Sequence, residues 1–243
     1  MGSKPQLVYW DVRGLCEPIR YILRYLNVDF EDKRLPLEAE GSVAWAELKQ
    51  SEGLDFPNLP YFIDGDLKLS QSLAILRHIS RKHNLYGDTE KESATLDMIE
   101  QYLIDLQKAV WVVYNDKNFH AIKEDYKKTI PSRLGELEKF MEGKNFILGS
   151  KVSGVDFLLY ETIEWFRVFA PEVFKEDASL QSLEEFQQRI EAIPQIKEYI
   201  NSDKYKSWPL FGPVQYFGFS KDPEFKPLPF SYKNWVAKYP LES

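Results

Sequence analysis

The sequence predicts a mixed fold, an α/β domain followed by an all-α domain. Short β-rich runs alternate with helical patterns over roughly the first 86 residues, as in units that alternate strands and helices. From residue 93 onward, apolar residues recur only at helical spacing. After Pro213 the composition shifts to proline, lysine and aromatic residues. We therefore predict an α/β domain over 1–86, a linker over 87–92, a helical domain over 93–212 and an extension over 213–243.

The pattern of the α/β part indicates a βαβ unit followed by a hairpin and a helix. Pro18 is compatible with a helix only in its first turn, and the Asp64-Gly65 dipeptide is typical of a hairpin turn. The expected elements are strands from 7 and from 28, helices over 19–26 and 45–50, strands over 61–63 and 67–69, and a helix over 72–83.

The helical part contains two clear signals for helix starts. Ser153 and Asp156 have the spacing of a capping box, in which two side chains bond each other's backbone amides. Pro131 is tolerated only near a helix start, so the helical pattern around it is expected to bend or to begin again there. The expected helices cover 93–114, 119–141, 157–169 and 183–193, with a last one from 194.

Composition narrows the class of protein. The chain has 243 residues, with 31 basic and 38 acidic side chains and a net charge of −7, which argues against non-specific nucleic-acid binding. Cys16 is the only cysteine, so a reducing compartment is favoured. No apolar run approaches the roughly 18 residues of a membrane span, and the histidines lack metal-ligand spacing. We expect a cytoplasmic protein with no metal and no membrane or nucleic-acid partner.

The segment from Gly53 to Ser72 carries the strongest binding signal. Two prolines lead into a strand, and a cis Leu59-Pro60 bond would leave the backbone of Leu59 facing a ligand. Gln71 and Ser72 begin a helix, whose free amides and dipole bind carboxylates. The plainer interpretations are an ordinary loop proline and simple N-capping by Ser72. The functional interpretation is a site for a small anionic peptide.

Tyr9 and Cys16 are the candidates for chemistry. Tyr9 ends the first strand, where ligands bind in open α/β units, and its phenol can donate a hydrogen bond to a developing anion. A half-buried structural tyrosine is the alternative. Cys16 lies near a helix start, which lowers a thiol pKa, but no Cys-x-x-Cys pair is present. A packed small residue is therefore the favoured interpretation of Cys16.

Several motifs, in the right order, resemble the mu-class glutathione S-transferases. They are YWDVRGL at 9–15, LDFPNLPY at 54–61, QSLAILR at 71–77, RKHNL at 81–85, DF at 156–157 and RIEAIP at 189–194. The similarity covers nearly all of residues 6–212 and is nearest to invertebrate members of the mite group 8 allergen type. It implies the glutathione S-transferase fold, a thioredoxin-like domain with a helical-bundle domain, in a cytoplasmic homodimer. It also implies detoxification, in which the thiolate of glutathione, a cosubstrate and not a cofactor, attacks hydrophobic electrophiles.

The resemblance also implies roles for individual residues. Tyr9 would be catalytic and donate its hydroxyl hydrogen bond to the glutathione sulfur. Glutathione would be bound by Trp10, Leu15, Trp45, Lys49, Asn58, Leu59, Gln71, Ser72 and, from the other subunit, Asp105. Phe56, Arg77 and Arg81 would lie at the dimer interface, and Trp111 and Tyr114 in the electrophile pocket.

The sequence departs from the family pattern at four places. The mu loop is short, since Tyr9 to Trp45 spans fewer residues than in vertebrate members. Ser42 stands where an arginine is usual, which removes one contact to a carboxylate. The second tyrosine that assists electrophile addition has no clean counterpart, because ungapped counting gives Asn115, with Tyr114 about 100° away around the helix. The tail after Pro213 is longer than usual. Two other functions stay open on the same fold: a non-catalytic ligand-binding protein, and a thiol transferase that uses Cys16.

Overall fold

The computed structural model describes residues 4–36, 43–176, 178–222 and 225–227. Contacts between residues divide the chain into two compact units. The sheet unit consists of the described residues of Met1–Cys16, Asp29–Ile75 and Lys206–Ser243. The helical unit consists of Glu17–Val28 and the described residues of Leu76–Tyr205. The first helix therefore groups with the later helices, and the described residues from Lys206 onward group with the sheet.

The sheet unit is built on a mixed sheet. Its elements are β1 (Gln6–Trp10), β2 (Glu31–Leu35), α2 (Val43–Ser51), β3 (Tyr61–Asp64) and β4 (Leu67–Ser70). The strand order is β2-β1-β3-β4, with β1 parallel to β2 and antiparallel to β3. Successive residues of β1, Leu7 and Val8, are both completely buried, so both faces of the sheet are covered. The predicted hairpin is confirmed, since Asp64 pairs with Leu67 around a turn that uses Gly65 at φ 63°.

The second strand starts later than predicted. We expected it from Val28, and this is wrong, because β2 begins at Glu31. Val28 still belongs to the end of the first helix. Its N–H donates to the Leu23 carbonyl at 3.0 Å, after Asn27 adopts the left-handed conformation at φ 52°. The strand can begin only once this helix cap is complete.

The helical unit is built around one buried helix. Its helices are α1 (Glu17–Tyr25), the part of α3 (Ser72–Lys82) from Leu76, α4 (Glu90–Tyr114), α5 (Phe119–Lys128), α6 (Ile130–Met141), α7 (Gly154–Phe169), α8 (Pro171–Glu176), α9 (Gln181–Ala192) and α10 (Pro194–Ile200). Every residue of α7 from Gly154 to Phe166 is buried. The helices α1, α4 and α9 pack against it, so α7 forms the core of this unit.

The start of α7 is a capping box, as predicted. The Asp156 carboxylate accepts hydrogen bonds from the N–H and the hydroxyl of Ser153, both at 2.7 Å, and from the Ile147 N–H at 2.8 Å. Burial raises the pKa of Asp156 from 3.8 to about 6, against these hydrogen bonds, which favour the charged form. The central helix of the unit therefore begins on a buried ionisable group.

Two helix boundaries refine the sequence-based expectations. The pattern over 119–141 forms two helices, and the second begins at Ile130 with Pro131 in its first turn, where a bend or a new start was expected. The helix α4 begins at Glu90 behind the N-cap residue Thr89, so residues 90–92 of the predicted linker are helical. Within the described part of the chain, no helix is both long and apolar enough to span a membrane.

Candidate active site

The register of the sheet brings three parts of the chain to one edge. Val8 on β1 pairs with Tyr61 on β3, and Tyr61 pairs on its other side with Ser70 on β4. Tyr9, the second-last residue of β1, and Gln71, the first residue after β4, therefore lie on either side of the loop that leads into β3. This edge unites the predicted catalytic residue with two of the predicted peptide-binding segments.

Tyr9 is positioned by the backbone that follows it. Its side chain is buried. Gly14 has a φ of 45°, and a Cβ atom there would lie 2.7 Å from the Tyr9 hydroxyl oxygen, so only glycine fits. The Leu15 N–H donates a hydrogen bond to this oxygen, with an N–O distance of 3.4 Å. A hydroxyl that accepts a hydrogen bond becomes a stronger donor through its own proton.

The loop before β3 is held by hydrogen bonds within it and from β4. The cis Leu59-Pro60 bond considered from the sequence is present. The Leu59 N–H donates to Oδ1 of Asn58 at 2.9 Å, so the amide expected to pair with a peptide ligand has an internal partner. The Ser70 hydroxyl donates to the Phe56 carbonyl at 2.6 Å. This bond ties the loop to β4, while the Phe56 side chain stays 75% exposed.

Gln71 is exposed and adopts the left-handed conformation, with φ 73°. Its carbonyl accepts a hydrogen bond from the Ile75 N–H at 3.0 Å, so the amides of Ser72 and the residues after it form the first turn of α3. The left-handed conformation costs a non-glycine residue roughly 1–2 kcal/mol, and such strain clusters at functional sites. Gln71 therefore lies directly before the N-terminus of α3. The positive end of the helix dipole makes this a suitable place for the carboxylate of a ligand.

The other predicted glutathione residues of the sheet unit lie on β1, on the turn after it and on α2. Trp10 is buried at the end of β1, and Leu15 is half-buried in the following 3-10 turn. Trp45 is half-buried, and its ring centroid lies 6.3 Å from the aromatic ring that begins β3. Lys49 is exposed. Ser42, the departure at a carboxylate contact, lies outside the described residues.

The predicted residues of the helical unit are exposed or interact with neighbouring side chains. Asp105 is exposed on α4 and lies 3.5 Å from the ammonium group of a lysine one turn further along. Arg77 contacts the buried Glu100 carboxylate at 2.7 Å. Burial raises the pKa of Glu100, and Arg77 opposes that rise. The Arg81 guanidinium lies 4.9 Å from the centroid of the Tyr86 ring.

The placement of Tyr114 speaks against its predicted role in the electrophile pocket. Tyr114 is completely buried, and its hydroxyl donates to the Trp165 carbonyl at 3.0 Å. Burial raises its pKa well above 10.0, and the hydroxyl proton is committed to the core. Asn115, the ungapped counterpart, is exposed and donates to the Trp111 carbonyl at 2.8 Å. Trp111 itself is partly exposed and stacks on Trp165, with ring centroids 6.3 Å apart.

Cys16 is completely buried in the turn after β1. Thiol–disulfide exchange requires an accessible thiolate, so this placement disfavours a thiol transferase that uses Cys16. In the residues that the structure describes, no three or more histidine, cysteine and acidic side chains are grouped so as to hold a metal ion.

Sequence reasoning missed the role of Gly14. A glycine in the turn after a strand is a signal for positive φ, but the sequence does not show which side chain the glycine accommodates. In the structure that side chain is Tyr9, whose hydroxyl and ring occupy the space that a Cβ atom of residue 14 would need. A search for glycines in the turn that follows a candidate catalytic residue would have found Gly14.

Comparison with known proteins gives consistent matches along the chain. Residues 5–81 match the family model described as glutathione S-transferase, N-terminal domain, and residues 104–203 match the one described as glutathione S-transferase, C-terminal domain. A glutathione S-transferase of Tyrophagus putrescentiae is 44% identical over 85% of this chain and 94% of that protein. A class-mu 26 kDa glutathione S-transferase isozyme of Fasciola hepatica is 40% identical over 88% and 95% of the two chains. The crystal structure of the glutathione S-transferase Blo t 8 aligns with a TM-score of 0.76 and 35% identity, over 88% and 99% of the chains.

Proposed function

The chain belongs to the glutathione S-transferase family, and on that basis we propose that the sheet edge between Tyr9 and Gln71 binds glutathione. The family, the fold and the mu-class resemblance predicted from the sequence are confirmed. As a glutathione transferase, the protein joins glutathione to electrophilic substrates. The observation that carries the proposed site is the sheet register, which aligns Tyr9, the loop into β3 and Gln71.

Tyr9 is the proposed catalytic residue. A free thiol has a pKa of about 8.5, so it is mostly protonated at neutral pH, while the thiolate is the nucleophile. A hydrogen bond to a charged group contributes roughly 1.5–3 kcal/mol, which corresponds to about one to two pKa units. The Tyr9 hydroxyl accepts a hydrogen bond from the Leu15 N–H and, in this proposal, donates a hydrogen bond to the thiolate sulfur. The thiolate then attacks an electrophilic carbon of an apolar substrate; with a chloronitroaromatic, the new carbon–sulfur bond replaces the carbon–chlorine bond and chloride leaves.

The loop before β3 and the start of α3 hold the rest of glutathione in this proposal. The cysteinyl unit pairs with the Leu59 backbone, as in strand addition to a sheet edge. Since the Leu59 N–H donates to Asn58 in the structure, the incoming peptide replaces that bond and releases the Asn58 side chain. Asn58, Gln71 and Ser72 then bind the γ-glutamyl end at the positive end of α3. Trp10, Leu15, Trp45 and Lys49 hold the glycine end.

A homodimer completes the proposed site. The Phe56 side chain is 75% exposed on a loop that is tied to β4, so its apolar ring is presented in a fixed position. We expect it to enter a pocket of the partner subunit, with Arg77 and Arg81 near the dimer axis. Asp105, exposed on α4, would reach the glutamyl amine bound by the other subunit.

The electrophile and the location of the enzyme are further parts of the proposal. The electrophile is hydrophobic, and Trp111 is retained as a pocket residue because its ring is partly exposed. Tyr114 is not retained, since its hydroxyl is bonded in the core. We also expect the extension after Pro213 to influence the choice of electrophile. The single cysteine, which is buried, fits a reducing cytoplasm.

The proposed chemistry is tested with two variants, Tyr9→Phe and Cys16→Ser. The phenylalanine keeps the ring and removes the hydrogen bond to the sulfur, so we expect conjugation of a chloronitroaromatic at neutral pH to fall about tenfold or more, with the fold intact. Cys16→Ser should keep most of the activity, because the buried thiol takes no part in the reaction. Conjugation rates and circular dichroism spectra of both variants give the answer.

The same pair of variants separates the alternatives. Loss of activity in Cys16→Ser but not in Tyr9→Phe would support the thiol transferase and overturn the proposed mechanism. Retention of the wild-type protein on immobilised glutathione, with no conjugation of any electrophile, would support a non-catalytic binding protein.

A further inference from the structure

The turn that positions Tyr9 is itself bonded to the C-terminal part of the sheet unit. Two consecutive amides after β1 donate to two consecutive carbonyls of the later segment. The Arg13 N–H bonds to the Pro209 carbonyl at 3.1 Å, and the Gly14 N–H bonds to the Leu210 carbonyl at 2.8 Å. The next amide of the turn, that of Leu15, donates to the Tyr9 hydroxyl. The position of this last donor is therefore fixed through the two bonds that precede it.

The segment 206–219 has its own internal bonds. The Gly218 carbonyl accepts from the N–H groups of Leu210 and Phe211, at 2.6 and 3.0 Å. Leu210 and Phe211 are buried. The indole N–H of Trp208 donates to the Phe219 carbonyl at 2.6 Å. These bonds close residues 208–219 into a compact loop that offers the Pro209 and Leu210 carbonyls to the turn.

Gly218 is the position on which this loop depends. Its φ is 94°, and a Cβ atom there would lie 2.4 Å from Cδ2 of the buried Phe211 ring. A side chain at 218 must therefore displace either the ring or the carbonyl that holds Leu210. A second tie is ionic, since the Lys206 ammonium group forms an ion pair with Asp11, two residues after Tyr9.

We propose that segment 206–219, through Gly218 and Lys206, positions the Tyr9 hydroxyl for the glutathione sulfur. This inference rests on the proposed role of Tyr9. The residues of the segment are positioning residues, because none of them is placed in contact with glutathione. A hydrogen bond prefers a donor angle above about 150° and weakens steeply below about 120°. A shift of the turn after β1 would therefore weaken the bond from Tyr9 to the sulfur before it affects the binding of the peptide.

The test measures the pKa of the glutathione thiol bound to the full-length enzyme, from thiolate absorbance and from the pH profile of kcat/KM. We expect Gly218→Ala to raise this pKa by about half a unit to one unit. The rate at about pH 6.5 then falls about three- to tenfold, and the rate at about pH 9 stays within about twofold. Affinity for a glutathione analogue without a thiol should change by less than about twofold.

Two controls match the variants in chemistry but not in place. Gly149→Ala puts a Cβ atom at a similar φ, 90°, in open space, and should leave the thiol pKa unchanged. Lys206→Gln breaks the ionic tie without a steric clash, so it carries the test if Gly218→Ala does not fold. A two- to threefold loss at about pH 6.5 is expected from this half-buried ion pair. Lys4→Gln breaks an exposed ion pair of the sheet unit, with Asp29, and should have no effect.

Combination with Tyr9→Phe distinguishes positioning from general damage. If the segment acts through the Tyr9 hydroxyl, Gly218→Ala has no further effect on the thiol pKa in the Tyr9→Phe background. An equal shift in both backgrounds would overturn the inference. A shift of the thiol pKa in Tyr9→Phe, without any shift in Gly218→Ala or in Lys206→Gln, would also overturn the inference. The proposed role of Tyr9 would then still stand. If the thiol pKa is the same in Tyr9→Phe as in the wild type, the proposed mechanism itself is wrong.

Discussion

Gln71 combines backbone strain with exposure. A buried residue can be held in the left-handed conformation by packing, but Gln71 is exposed at the end of β4 and still has a φ of 73°. Its strain is set by the turn from β4 directly into α3. A glycine would meet this backbone requirement more easily. The presence of glutamine therefore supports a role for its amide side chain in binding.

Gln71→Gly should separate strain from function. Relief of roughly 1–2 kcal/mol of strain is opposed by about 0.5–1 kcal/mol of chain entropy, so we expect the free energy of unfolding to stay level or rise slightly. The KM for glutathione should rise about tenfold or more, because the variant loses a hydrogen bond to a charged group. Denaturant titration and steady-state kinetics measure the two effects.

Asn84→Gly is the matched control for this prediction. Asn84 is also exposed and left-handed, at φ 57°, but has no proposed ligand. It should show a similar change in stability with an unchanged KM. If Gln71→Gly destabilised the protein and left the KM for glutathione unchanged, Gln71 would be a structural residue.

At the scale of elements, the helix α7 connects burial to the pH dependence of stability. The folded-state pKa of Asp156 is about 6, above its ordinary value of 3.8. The folded state therefore holds this proton more tightly than the unfolded chain. The contribution of Asp156 to stability is complete below about pH 4 and is lost as the pH rises through about 6. The difference between these pKa values corresponds to roughly 3 kcal/mol.

Asp156→Asn should remove this contribution. We expect the stability advantage of the wild type over the variant to shrink as the pH rises from about 4 to about 6. Denaturant titrations of both proteins at several pH values test this expectation, since other titrating groups cancel in the difference. If the stability advantage of the wild type grew with pH, the hydrogen bonds would stabilise the charged carboxylate more than burial destabilises it, and the folded-state pKa would be lowered instead of raised.

Elements whose signals are local could be predicted from the sequence, and those that depend on distant contacts could not. The capping box at Ser153 was predicted, and a bend or a new helix start was expected at Pro131, because such signals involve only neighbouring residues. The start of β2 was misplaced, because the end of α1 depends on the conformation of Asn27. The direction of Tyr114 depends on the rotation of α4 against α7, which the periodicity fixes only roughly.

Parts of the candidate site could also be predicted from local motifs, while others could not. Tyr9, Leu59 and Gln71 could be proposed from motifs, and the pairing register that brings them to one edge is consistent with those proposals. The bonds from Pro209 and Leu210 to the turn after β1 could not be foreseen. They join residues almost 200 positions apart by backbone atoms, which leave no side-chain pattern in the sequence.

For the whole molecule, the exposure of Phe56 bears on assembly. The Phe56 ring is 75% exposed on a loop that is tied to β4, so it is available to contact a partner subunit. We expect the wild type to be a dimer, and we expect Phe56→Ala to weaken dimerisation at least about thirtyfold, as the loss of a central apolar anchor does. Sedimentation velocity over a dilution series measures this change.

Val112→Ala is the control for that prediction. Val112 is 70% exposed on α4 and has no assigned role. Its loss should leave the dissociation constant nearly unchanged. A wild type that sediments as a monomer at all concentrations would rule out the dimer and, with it, the contribution of Asp105 from the other subunit.

The central claim is that the Tyr9 hydroxyl stabilises the thiolate of bound glutathione. The most direct measurement is the ultraviolet difference absorbance of that thiolate as a function of pH, in the wild type and in Tyr9→Phe. We predict a bound thiol pKa about one to two units below the value of about 8.5 for a free thiol in the wild type, and a return to near that value in the variant. The same lowered pKa in both proteins would contradict the account.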